Sequence, residues 1–139
     1  MKIVVLYVVT ALVFLGLDAV MLKNVLRPLF ESHIGDLLAD TVNITAALIF
    51  YLFYIAGILW FASLPALREG KPVKALISGG LLGAMAYGTY EFTNLATLKG
   101  WHWQMVIVDV PWGAFLTGVS AWAGAIVASA MGWTPRRRP

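Results

Sequence analysis

The sequence predicts an all-α fold: a polytopic membrane four-helix bundle with its N and C termini in the cytoplasm. Three observations lead there. Of 139 residues, 60% are hydrophobic and 12% charged, about half the charge share of an ordinary soluble domain. The mean hydropathy is +0.82. Apolar runs of about 20 residues recur, each enough to cross about 30 Å of hydrocarbon at about 1.5 Å per residue. Lipid offers no partner to open backbone groups, so such runs are read as helices.

A single domain, 1–139, is expected, with helices near 3–22, 41–64, 73–95 and 105–131. The first segment resembles a signal peptide. It has one lysine and no small-residue cleavage pattern after Leu17, so it reads as a retained helix. The second runs to Leu64, before Pro65, and the third opens after Pro72. The fourth begins near Met105 or Val110 and ends before Thr134 and Pro135. With the later start, Asp109 reads as its N-cap and Pro111 falls in the first turn.

The basic residues set the orientation. Lys2, Arg68, Lys71, Lys74, Arg136, Arg137 and Arg138 fall on one side, and Lys23, Arg27 and Lys99 on the other. The richer side is cytoplasmic. Trp60 and Trp133 then mark the inner boundary, and Trp101 and Trp103 the outer one. The outer stretch from Lys23 to Asp40 reads as a solvated loop with a short interfacial helix. His33 and His102 lack ligand spacing, so no metal is expected. A net charge of +3 spread over loops and the chain end is not a nucleic-acid signature. The absence of cysteine excludes disulfides, thiolate catalysis and iron–sulfur ligation. No cofactor is expected.

Polar groups converge at one depth. Asp18 lies about 22 Å, and Glu91 about 27 Å, from the cytoplasmic ends of their helices. Asn43 opens the second helix and Asp109 lies near the outer start of the fourth. Tyr87, Tyr90, Glu91 and Asn94 stand at i, i+3, i+4 and i+7 and form one stripe, which should face the bundle interior. Close carboxylates disfavour joint ionisation. Small residues repeat every four positions, at Gly80, Ala84 and Gly88 and at Thr117, Ala121, Ala125 and Ser129. They predict close helix packing within a monomer or homodimer.

At "YGTYEFTNLATLKGW" and "DVPWG" the sequence resembles a family of small bacterial integral membrane proteins catalogued as a domain of unknown function. The matching positions are Asp18, Asn43, Thr93, Asn94, Thr97, Asp109, Trp112 and Gly113. Glu91 stands where the family usually has aspartate, and Met21 where tryptophan is common. The resemblance implies a multi-pass protein of the inner (cytoplasmic) membrane, and no established activity.

The expected site therefore comprises Asp18, Asn43, Tyr87, Tyr90, Glu91, Asn94, Asp109 and Trp112. Apolar walls, aromatic rings and convergent acids suit a lipid-like or amphipathic small molecule, bound or modified by acid catalysis. The same acids also suit a proton- or cation-coupled transporter. They suit equally an accessory subunit of a membrane complex. Membrane lipids are the expected surroundings, and no nucleic-acid partner is expected.

Overall fold

A computed structural model describes residues 1–132. Among them every regular element is helical, in four rods: α1 Lys2–Leu37, α2 Ile44–Arg68, α3 Val73–Thr97 and α4 Trp103–Ala130. Rods α1, α2 and α4 are long and apolar enough to cross a membrane. Rod α3 has 25 residues, but its glycines and its tyrosine–glutamate–asparagine stripe keep it below the same hydropathy. Trp133 and Arg136 to Arg138, which enter the boundary and orientation arguments, lie outside the described residues.

Two rods run past the ends expected from sequence, and for the same reason. The α1 rod passes Leu22 and stays helical through Pro28 to Leu37, so the expected outer loop is mostly helix. The α2 rod passes Pro65 and ends at Arg68. A proline lacks an N–H, and its ring crowds the carbonyl four residues back. Those carbonyls belong to Asn24 and Phe61. Each lies in a widened π turn, Leu22–Leu26 before Pro28 and Leu59–Ser63 before Pro65. The extra residue relieves the crowding, and the helix continues.

The α4 rod also departs from one expectation. It starts at Trp103, and His102 is its N-cap, accepting the Gln104 N–H at Nδ1 over 3.0 Å. Asp109 is thus interior and caps nothing. Pro111 lies inside the helix, leaving the Ile107 carbonyl without its usual donor.

The central rod is α4: half of its apolar stretch is buried, against 22% for α1 and α2. Over Lys2–Met21 of α1 the buried residues are Leu6, Thr10, Phe14 and Asp18, one stripe at a spacing of four, and farther along the rod Leu26 and Ile34 are buried too. The remaining faces expose Val4, Val8, Leu12 and Val20, as a helix apolar all round does when one side meets lipid. On α4, Gly124 lets α1 in: a Cβ there would stand 2.3 Å from Thr10 Oγ1 and 3.0 Å from Leu6 Cδ1.

The α3–α4 contact is closer still. A Cβ on Gly83 would lie 2.1 Å from the Gly113 carbonyl oxygen, and one on Gly79 would lie 3.0 Å from Ala121 Cβ. The small-residue face of α3 is therefore Ala75, Gly79 and Gly83, one position before the expected Gly80, Ala84 and Gly88. Gly80 still lies alongside α4, but a Cβ on Gly88 would meet only Phe92 of its own helix, at 3.9 Å. On α4, Thr117, Ala121 and Ala125 are buried as expected, and Ser129 is exposed. Hydroxyls tie α2 to the same seam: Tyr54 bonds Thr117 at 2.8 Å, and Ser63 donates to the Ala121 carbonyl at 3.2 Å.

Gly83→Ala is expected to lower stability in detergent by about 1–3 kcal/mol, because backbone rather than a side-chain tip blocks the new methyl. Gly88→Ala should leave melting unchanged or slightly raised. Equal losses in both variants would contradict this packing.

Candidate functional site

The site begins with Asp18, which ends the buried stripe of the Lys2–Met21 segment and is 4% exposed. Its carboxylate accepts two hydrogen bonds from other rods. The Tyr51 hydroxyl of α2 donates to Oδ2 at 2.9 Å, and Trp112 Nε1 of α4 donates to Oδ1 at 3.4 Å. Beneath it, Phe14 packs against Tyr51 and Tyr54, with ring centroids 5.7 and 5.6 Å away.

Asp109 of α4 comes next, also 4% exposed. Its carboxyl lies within hydrogen-bonding reach of Glu91, and Asp18 is near enough to interact with it electrostatically. Glu91 is fully buried. Its Oε2 accepts from Trp101 Nε1 at 2.8 Å, whereas Oε1 is buried with no donor among the described residues. The ion pairs of the described residues, Arg27 with Glu31 and Lys74 with Glu69, lie elsewhere. Three carboxyls from three helices thus share one end of the bundle without a basic partner among the described residues.

Trp101 reaches Glu91 because the chain turns sharply between α3 and α4. Gly100 has φ +83°, a left-handed conformation that glycine adopts without strain. The indole is wedged between Phe30 and Tyr90, with centroids 5.5 and 5.6 Å away. The far end of α1 lies over the same corner. The His33 ring stacks on His102 at 4.6 Å and 6°, and His33 Nε2 meets Gln104 Oε1 at 3.3 Å. The two histidines do meet, but no group of three His, Cys, Asp or Glu among the described residues is placed to hold a metal ion.

A cavity of about 580 Å³ opens beside the acids. Asp18 and Asp109 supply its polar floor, and Tyr51, Tyr54, Tyr87, Tyr90, Phe30 and Phe50 its aromatic walls. Leu22 and Leu26, from the π turn of α1, complete one side. The Leu59–Ser63 part of α2 packs closely on α3, whereas the Ile44–Ile58 part does not. The cavity occupies the resulting gap.

Of the residues singled out from sequence, Asp18, Tyr87, Tyr90 and Asp109 line this cavity. Glu91 stands behind Asp109, and Trp112 holds Asp18. Asn43 is elsewhere: it is the N-cap of α2, accepting the Ala46 N–H at 3.1 Å, and does not reach the acids. Asn94 is half-buried near the end of α3 and does not line the cavity. Sequence reasoning missed Tyr51, Tyr54 and Trp101. The two tyrosines stand at i and i+3 on an apolar helix, where a buried hydroxyl needs a partner. Trp101 was assigned to the interfacial belt; of that group, Trp60 is 67% and Trp103 58% exposed, but Trp101 turns inward.

Trp101→Phe should cost about 1–3 kcal/mol in detergent unfolding, by leaving Glu91 Oε2 buried without its donor. Trp60→Phe, at the exposed position, should be neutral. A neutral Trp101→Phe would mean that the indole bond holds nothing in place.

The "DVPWG" stretch has a geometric meaning at each fixed position. Asp109 meets Glu91, Trp112 donates to Asp18, and Gly113 leaves its face bare for the Tyr87 ring, which a Cβ there would approach to 2.2 Å. No curated protein and no solved structure matches the chain. A family model described as "Predicted membrane protein (DUF2177)" matches residues 3–126, nearly all of the four rods, and the chain belongs to that family of membrane proteins of unknown function.

Proposed function

We propose that this protein binds an amphipathic, lipid-like small molecule in the cavity between the four rods, with a cationic or hydrogen-bond-donating head against Asp18 and Asp109. The observation that carries this reading is the cavity's composition: two carboxylates at the floor of an aromatic and aliphatic chamber of about 580 Å³. Most of a small ligand's surface can be buried in such a volume, while a few polar groups fix its orientation. An acidic floor favours a donor head over an anionic one. The sparse contact between Ile44–Ile58 and α3 supports a route from the lipid side.

The test uses two brominated probes with one alkyl chain and opposite heads, an amine and a sulfate. Bromine quenches the fluorescence of Trp112, which bonds Asp18. The amine should quench saturably, and at least about tenfold more tightly than the sulfate, a difference of about 1.4 kcal/mol. Ala86→Phe, which fills the chamber, and Asp18→Asn should each weaken the amine. Equal quenching by both probes, unaffected by either substitution, would refute the proposal.

The topology belongs to the same proposal. We infer that all four rods cross the inner membrane with both termini cytoplasmic, supported by the distribution of lysine and arginine. The chain has no cysteine, so single cysteines report cleanly. Ser32→Cys should react with an impermeant maleimide from outside the cell, and Lys71→Cys only after permeabilisation. The opposite pattern would invert the orientation.

A further inference from the structure

We propose that Glu91 and Asp109 form a proton-binding site, one exchangeable proton being held between their two carboxyls. This goes beyond the ligand reading, because the pair is complete whether or not anything enters the cavity.

The argument starts from an atom with no partner. Glu91 is 0% exposed, and its Oε1 has no donor among the described residues. Its other oxygen is already taken by Trp101 Nε1. The neighbouring polar group is the Asp109 carboxyl, within hydrogen-bonding reach. Two carboxylates offer only lone pairs, so bare contact between them is repulsive in a water-poor setting. A single proton converts that repulsion into a hydrogen bond, as when paired carboxyls elsewhere share one proton.

A metal cation fits less well. Even a small divalent ion takes about six oxygen ligands. Here the two carboxyls lie within hydrogen-bonding reach of each other, and no group of three His, Cys, Asp or Glu among the described residues is placed to hold a metal ion. The titratable groups that face the pair are Asp18 of α1, Tyr51 of α2, and Tyr87 and Tyr90 of α3. None of these is a cation that would neutralise a second negative charge. Asp109 also lines the cavity, so the proton has a path of exchange through it.

Infrared spectroscopy of the full chain in detergent at neutral pH, with no probe added, tests this. A carboxylic-acid C=O stretch is expected, shifting down in D2O. Glu91→Gln, close in shape, should abolish or shift it. Asp109→Asn should likewise abolish or shift it, because the carboxyl pair that shares the proton is then broken. Replacing KCl by NaCl or LiCl should change nothing. The proposal is overturned if the wild-type protein shows no such stretch, if Glu91→Gln leaves it in place, or if added sodium removes it. Should Glu91→Gln fail to fold, the wild-type spectrum and Asp109→Asn still decide. The ligand reading can fail in the quenching experiment without affecting this outcome.

Discussion

The close approach of α3 and α4 at Gly83 and Gly113 is the contact on which the acid-bearing half of the molecule depends. Neither position can carry a side chain without striking its neighbour, whether the Gly113 carbonyl or the Tyr87 ring. Glycine loses some helix propensity at each site, and in return the two backbones lie in near contact. In lipid, where apolar side chains gain little by leaving their surroundings, such close packing is a principal source of helix association. Two turns beyond Gly83 stands Glu91, and one turn before Gly113 stands Asp109. Antiparallel helices held this tightly bring those two carboxyls together. A bulkier seam would separate them.

The resulting arrangement is costly for stability alone. Buried carboxyls lose hydration, and a fully paired set recovers it only when every lone pair finds a donor. Asp18 comes near that condition, with Tyr51 and Trp112 on its two oxygens. Glu91 does not, since Oε1 is left over. An apolar residue in its place would pack against α4 without that deficit. A proton shared with Asp109, as proposed above, would remove that deficit.

Much of the architecture was legible because lipid permits so few alternatives. Hydropathy marks α1, α2 and α4 as able to cross a membrane; of the i, i+3, i+4, i+7 stripe, Glu91 is buried whereas Tyr90 is half exposed. What stayed hidden depended on relations across helices. Pro28 and Pro65 are stop signals by local rule, and only the π turns before them explain why the helices continue. The spacing of small residues on α3 fits two faces equally, and the contact with α4 chose Gly79 and Gly83. Asn43 stands at the right depth but is committed to its own backbone. Trp101 follows a glycine whose positive φ cannot be read from the letters around it, so its inward turn onto Glu91 could not be anticipated.

The π turn in α1 also bears on access to the site. A widened turn shifts the register of everything beyond it. Beyond Leu26, α1 presents Phe30 to Trp101 and lays His33 against His102, across the corner where α3 turns into α4. Within the turn itself, Leu22 and Leu26 line the cavity. The same distortion thus shapes one wall of the chamber and directs the rest of the rod over the acids. The exposed ion pair of Arg27 and Glu31 lies on this extension and contributes little to holding it. The hold comes from aromatic contacts instead. The Phe30–Trp101 contact joins the extension to the residue that donates to Glu91, so displacing the end of α1 would also disturb the donor that steadies the carboxyl pair.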